Sequence, residues 1–313
     1  MLRYIARRIG ILIPILFLVS VLVFLMLRLA KGDPAMAYLR LSNIPPTADA
    51  LEEATRMLGL DLPLWEQYLR WAGRALRGDF GLSWVTGQPV LGEILYYLPA
   101  TLKLTGMSLL LTLVFSIPLG VLAALRRDGW ADHLTRAFAF MGVSMPSFWF
   151  AYILIFIFSV TLNLLPPMGM GGFAHIIMPA TSLALMSTAI NIRFLRANML
   201  ENMHARSVLY ARARGLSERR VIWGHVFRNS LVPVVTSIGM HLGELIGGAV
   251  VVEMVFAWPG VGRYAVMAIF NRDFPILQCF LLVMTAIFVL CNLLVDILYA
   301  WIDPRIRLQG DRT

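Results

Sequence analysis

Apolar residues in this chain come in long runs, and polar residues gather in the gaps between them. A helix needs about 20 apolar residues to cross the hydrocarbon core of a bilayer. Six runs reach that length: 9–29, 101–125, 137–164, 176–195, 233–252 and 276–302. The pattern predicts an all-α integral membrane protein with six transmembrane helices in one domain over 1–313. Pro146 falls inside the third run, where its missing donor predicts a kink. The first run follows Arg3, Arg7 and Arg8 and exceeds the roughly 7–15 apolar residues of a secretory leader. Arg28-Leu-Ala-Lys31 offers no cleavage site, so this run is read as a retained first span.

Orientation follows from the basic residues, which accumulate on the cytoplasmic side of membrane proteins. With the N-terminus inside, the inner segments hold seventeen arginines and the outer segments nine arginines and lysines, with Arg28 at a span end. Both termini are therefore expected in the cytoplasm, and so is the segment 196–232 between the fourth and fifth spans. The segment 31–100 is expected in the periplasm as a folded loop. Within it, Trp65, Tyr68, Leu69, Ala72 and Leu76 recur at helical spacing, which predicts an amphipathic helix resting on the membrane or on an external partner.

Composition narrows the class. The chain of 313 residues is 59% hydrophobic and 14% charged, where a soluble domain carries roughly 25% charged residues. The formal charge of +9 comes almost wholly from arginine, because the chain has only two lysines, Lys31 and Lys103. Neither lysine stands in the Gly-Lys-Ser/Thr setting of a phosphate-binding loop, so ATP hydrolysis by that route is excluded. Cys279 and Cys291 share one apolar run and have neither metal spacing nor a disulfide framework. There is no triad setting and no zinc-type Cys/His spacing, and the chain is not expected to be an enzyme.

The segment Tyr210-Ala-Arg-Ala-Arg-Gly-Leu-Ser-Glu-Arg-Arg220, leading to Asn229-Ser-Leu-Val-Pro233, is where a soluble partner has something to hold. It reads as two short helices. Gly215 suits the stop of the first. Ser217 suits the cap of the second, with Glu218 in its first turn. Pro233 is expected to open the fifth span. Such an elbow fits a groove on a soluble protein, and a basic loop lying on lipid headgroups is the other reading of the same residues. A helix-turn-helix on DNA is excluded, since spans on both flanks leave no room for a compact core or a duplex.

This segment resembles the cytoplasmic coupling loop of ATP-binding-cassette importer permeases, in the form seen in their dipeptide, oligopeptide and nickel branch. Ala211, Gly215 and Leu231-Val-Pro233 carry the likeness, while Leu209 and Tyr210 replace the Glu-Ala that begins the general motif. The likeness extends along the chain through Leu58-Gly-Leu-Asp-Leu-Pro63, Gly78-Asp-Phe-Gly-Leu-Ser83, Pro99-Ala-Thr101, Glu253-Met-Val-Phe-Ala-Trp-Pro-Gly-Val-Gly262, Arg272-Asp-Phe-Pro275, and Asn292-Leu-Leu-Val-Asp296 to Asp303-Pro-Arg305. His241 with Glu244, and Phe270-Asn-Arg-Asp273, are most similar to the nickel-import member. The resemblance implies a bacterial inner-membrane subunit forming half of a heterodimeric pore. A second homologous permease, two ATPase subunits and a periplasmic substrate-binding protein complete the assembly. It implies no cofactor on this chain, with ATP and Mg used by the ATPase subunits. It implies that Tyr210, Ala211, Arg212, Ala213, Arg214, Gly215, Leu216, Ser217 and Glu218 carry ATPase closure into the membrane by alternating access.

Polar residues inside the spans are the remaining candidates. Gly239, Gly243 and Gly247 recur every four residues and line one face of the fifth span, where small residues admit a neighbouring helix. His241 and Glu244, three apart, are neighbours on that helix, and Glu253 follows near its end. Ionisable groups within a membrane usually face a cavity or a partner, so these three are candidates for the substrate pathway. Imidazole and carboxylate suit a nickel-type cation, and a hydrogen bond serving structure alone is the other reading, so no metal ligand is assigned. Met168, Met170 and His175 surround an outer turn, and Asn292 and Asp296 lie four apart in the sixth span. The expected solute is nickel or a nickel chelate, with a di- or oligopeptide as the alternative. A passive channel or membrane scaffold is the reading from another class.

Overall fold

The structure is a computed structural model that describes residues 2–29 and 32–302. Lys31 and Asp303-Pro-Arg305 lie outside the described residues, as do the side chain of Asp296 and the surroundings of Gly239. Among the described residues the chain is helical, with one isolated β-bridge between Leu82 and Pro89. Among the described residues three helices are long and apolar enough to cross a membrane, and a bent pair makes up to four.

The chain divides into two compact units. One comprises Leu2–Thr101 and Pro259–Val289. It begins with α1 (Leu2–Leu29) and continues through α2 (Pro34–Leu41), α3 (Ala48–Met57) and α4 (Leu64–Ala75). Asp33 caps α2 by accepting the Ala35 amide at 2.9 Å, with Pro34 at the first helical position where no donor is missed. Ala35, Leu39 and Ala54 make a small core with Tyr38, Leu51 and Leu58, so the 31–100 segment is folded. Its α4 is the expected amphipathic helix. Trp65, Leu69 and Leu76 are exposed, whereas Gln67 is buried and bonds the carbonyls of Leu60 and Leu62. Tyr68 and Trp71 turn toward Phe24 of α1 because their rings offer a large contact on that side.

The start of α5 (Val90–Leu125), α12 (Val261–Asn271) and the start of α13 (Phe274–Ile302) complete this unit. Val90, Ile94, Val261, Ala268, Ile276 and Cys279 form its larger core. Several motifs of the sequence meet here as joints. The Thr101 hydroxyl accepts the Val261 amide at 2.9 Å. Ser83 donates to Asp273 at 2.7 Å, and the Val85 amide donates to the same carboxylate oxygen at 3.2 Å. Tyr264 donates to Glu93 at 2.7 Å and stacks on Tyr97.

The other unit comprises Leu102–Trp258 and the chain from Leu290 onward. Its elements are the rest of α5, α6 (Trp130–Ser144), α7 (Ser147–Leu154), α8 (Phe173–Met203), α9 (Arg206–Ala213), α10 (Glu218–Val221) and α11 (Arg228–Val255), with π-helical turns at Ile155–Thr161 and Ile222–Phe227. The long α8 is buried along most of its length and packs against α6, α7 and α11. Gly142 of α6 lies so close to Ala189 of α8 that a Cβ would come within 2.9 Å of it.

Three expected boundaries change. The third apolar run is not one helix: α6 and α7 meet at a bend of 110°. Met145 before Pro146 is extended, because the proline ring excludes the helical conformation of the preceding residue. The fourth span runs on to Met203, so helix occupies the first part of the expected 196–232 loop. Pro233 lies inside α11 rather than at its start, since the helix begins at Arg228 directly after a π-helical turn.

Candidate functional site

The α9–α10 elbow is built by local rules. At the end of α9, Gly215 adopts φ +74°, a left-handed conformation open to glycine at no steric cost. The Gly215 amide bonds the Arg212 carbonyl at 2.9 Å and the Leu216 amide bonds the Ala211 carbonyl at 3.3 Å. These are the paired bonds of a Schellman stop, as the sequence predicts. Ser217 stands at the cap position of α10, but its side chain makes no cap bond. The turn is closed instead by Arg212, whose Nε and Nη2 donate to Glu218 at 3.1 and 2.6 Å. That contact holds the exposed Glu218 carboxyl below its usual range, chiefly through the Arg212 hydrogen bond.

The elbow has an anchored side and a free side. Val208, Ala211, Val221 and Val226 are buried in one cluster with Leu195 and Met199 of α8, Val121 and Ala124 of α5, and Val234 of α11. Asn202 donates to Ser230 at 3.1 Å, and Ser230 donates to the Val226 carbonyl at 2.8 Å. The elbow is thereby close-packed against three long helices. On the free side, Leu209, Tyr210 and Trp223 are exposed beside Arg214, Arg219 and Arg220. Ser217, Arg219, Arg220, Trp223 and Gly224 line an open groove of about 490 Å³. Of the expected loop residues, Ala211 is buried in the anchor, while Tyr210, Arg212, Ala213, Arg214, Ser217 and Glu218 are exposed.

A buried ion pair that sequence reading missed stands near this elbow. Arg196 of α8 donates to Asp132 of α6 through Nε at 2.7 Å and Nη2 at 2.6 Å, and Asp132 is fully buried. The Asp128 amide adds a third bond to that carboxylate at 3.0 Å. In the sequence Arg196 counts only as one more cytoplasmic arginine. The signal that marks it is Asp132, an acidic residue in the first turn of a largely apolar helix.

The second candidate region lies on α11. His241 is buried, and its Nδ1 is 2.9 Å from Oε2 of Glu244, whose side chain is 48% exposed. The Nε2 atom is 3.2 Å from Oδ1 of Asn191 on α8, and the Ser237 hydroxyl is 2.8 Å from the same oxygen. The structure thus joins His241 and Glu244 as the spacing predicts and adds Asn191 and Ser237, which the sequence did not single out. Glu253 is fully buried and does not share the exposed face of Glu244. A Cβ on Gly247 would meet nothing within 4 Å, so among the described residues no other helix makes the close approach its spacing leads one to expect. Gly248 makes such an approach: a Cβ there would come within 3.1 Å of Leu183 of α8. Gly243 lies on the same helix, half-buried. Among the described residues, no group of three or more His, Cys, Asp or Glu could hold a metal ion.

Comparison with known proteins gives these features a setting. Residues 116–308 match the family described as binding-protein-dependent transport system inner membrane component. Residues 1–105 match the N-terminal membrane component of the same kind of system. The glutathione transport system permease protein GsiC of Escherichia coli (strain K12) is 41% identical over 311 residues, covering 99% of this chain and all of that protein. The proteins of that name from Shigella dysenteriae serotype 1 and Shigella flexneri serotype 5b match to the same extent. A crystal structure of an amino acid ABC transporter with histidines covers 68% of this chain and 94% of that chain, at TM-score 0.50 and 15% identity.

Proposed function

This chain belongs to the family of inner-membrane components of binding-protein-dependent transport systems, and from that premise we propose that it is one permease of an ATP-binding-cassette importer for short peptides, glutathione first among them. The observation that carries the proposal is the α9–α10 elbow, anchored by four buried residues to the ends of three long helices while Tyr210 and Trp223 stay exposed. A soluble ATPase that seats this elbow and moves on nucleotide binding has a mechanical path into the membrane. In this reading the elbow is cytoplasmic, the α2–α4 segment is periplasmic and meets a substrate-binding protein, and both termini are cytoplasmic. The protein sits in the bacterial inner membrane and forms half of the pore beside a second permease, above two ATPase subunits that use ATP and Mg.

Glutathione as solute is supported by the relatives that bear that name at 41% identity over the whole chain. The features that resembled a nickel importer are engaged otherwise. Asp273 is turned inward on Ser83 and Val85, and among the described residues no group of three or more His, Cys, Asp or Glu gathers around His241 and Glu244. Uptake of labelled glutathione and of labelled nickel, measured in cells with and without this chain, tests the assignment. Loss of peptide uptake alone supports it, and loss of nickel uptake alone overturns it. Uptake that proceeds without ATP favours a passive channel.

A further inference from the structure

The Glu244 carboxylate is placed and held in a way that the elbow does not explain. Its helix is among the apolar stretches of the chain, yet its side chain is 48% exposed. A charge left on hydrocarbon is costly, so such a group faces water, a cavity or a partner. Gly247, Val251 and Met254 continue the same exposed face of α11. Beside the carboxylate, Gly247 leaves open space where a larger residue would project.

Behind the carboxylate stands a buried support. His241 reaches Oε2 of Glu244 with one ring nitrogen and Asn191 with the other. Asn191 is 1% exposed, and its Nδ2 has no hydrogen-bond partner in the orientation shown. The oxygen and nitrogen of an amide are assigned from the bonds they make. With the amide turned over, the orphaned donor disappears. Nδ2 then donates to Nε2 of His241 and to the Ser237 hydroxyl, which itself donates to the Val234 carbonyl at 2.7 Å. The proton of His241 then sits on Nδ1 and is donated to Glu244. The Glu244 side chain is thereby held in a fixed orientation on the exposed face of α11.

We infer that Glu244, oriented by His241 and Asn191, binds the ammonium group at the amino terminus of the imported peptide. A lone carboxylate selects a cation, and the amino terminus is the one cation every short peptide carries. Charge-assisted hydrogen bonds of this kind are about twice as strong as neutral ones. The inference rests on the short-peptide reading above. Glu244 is the binding group, and His241 and Asn191 are positioning residues.

The test is import by the complete transporter, with its binding protein, in proteoliposomes. The probes are a labelled tripeptide and the same peptide acetylated on its amino group. The unaltered complex is expected to prefer the free amine by at least about tenfold, the worth of one good polar contact. Glu244→Gln is expected to bring the ratio close to one, and Glu244→Asp to keep most of it. Asn191→Ala leaves the carboxylate unanchored, raises KM for the free amine and keeps kcat. A selectivity ratio does not respond to protein abundance, so a merely structural role would leave it unmoved. An unchanged ratio in Glu244→Gln overturns the site. If that variant does not accumulate, an unchanged ratio and KM in Asn191→Ala overturn it instead. Import of neither peptide by the unaltered complex overturns the short-peptide reading and this site with it.

Discussion

Arg212 and Glu218 clasp the turn between α9 and α10 through two hydrogen bonds, at 3.1 and 2.6 Å, across a glycine stop that bonds only its own backbone. The clasp sets the angle of the elbow while both side chains remain largely in water.

Its pH response follows in sign from that pairing. Arg212 lowers the Glu218 pKa from its ordinary value of 4.5. A carboxyl lowered by folding contributes stability that is present above its unfolded pKa and lost as pH falls through the lowered folded value. Exposed pairs contribute little to global stability, so Glu218→Gln is expected to shift Tm by no more than about 1 °C. A spin-label distance across the turn is expected to lengthen in Glu218→Gln at neutral pH. In the unaltered chain it lengthens only below pH 4.5.

Gly215→Val forces a β-branched residue into the left-handed region at φ +74°, at a cost of roughly 1–2 kcal/mol. The anchor cluster does not include Gly215, so the chain is expected to reach the membrane in normal amount. ATP-driven uptake is expected to fall at least about fivefold, the lower end of a typical coupling energy. Normal uptake with a normal amount of protein counts against a coupling role.

Asp132→Ala leaves Arg196 without its partner at the junction of α6 and α8. Removing one member of a fully buried pair costs about 3–5 kcal/mol; Arg196 is 19% exposed, so a smaller loss is expected, read as a drop of Tm in detergent. The double variant Asp132→Leu with Arg196→Leu is expected to recover much of the loss. A drop of equal size in the double variant shows that the pair itself is not the source.

Asp273 responds to pH in the opposite sense to Glu218. Burial raises its pKa above the ordinary 3.8, against the lowering effect of the Ser83 hydroxyl and the Val85, Trp84 and Ile276 amides. A carboxyl raised by folding contributes stability that is fully present below its unfolded pKa and lost as pH rises through the folded value. The joint of Ser83–Val85 with Asp273 is therefore expected to weaken from about pH 3.8 upward. Asp273→Asn keeps an acceptor for Ser83 and removes the charge, so Tm of that variant is expected to be flatter with pH than that of the unaltered chain.

The long apolar runs were readable because lipid demands them, and so were the Schellman stop at Gly215 and the helical register of α4. What sequence left undecided depended on tertiary partners. The spacing of Trp65, Leu69 and Leu76 marks an apolar face, yet only the position of α1 decides that Tyr68 and Trp71 turn inward. Pro146 announces a break, and its angle of 110° comes from how α6 and α7 pack on α8. At the α11 site, the three-residue spacing of His241 and Glu244 told of their bond. Asn191 lies fifty residues earlier in the chain, and nothing local marks it as the anchor.

Cross-linking tests whether the α9–α10 elbow seats in an ATPase. Cysteine placed at the exposed Tyr210, with Cys279 and Cys291 replaced by serine, is to be joined to the assembled complex in membranes by a short bifunctional reagent. A cross-linked product containing an ATPase subunit is expected, lost when Val208 and Val221, which anchor the elbow, are replaced by aspartate. Recovery of an intact, ATP-hydrolysing complex in which Tyr210→Cys joins no ATPase subunit would contradict it.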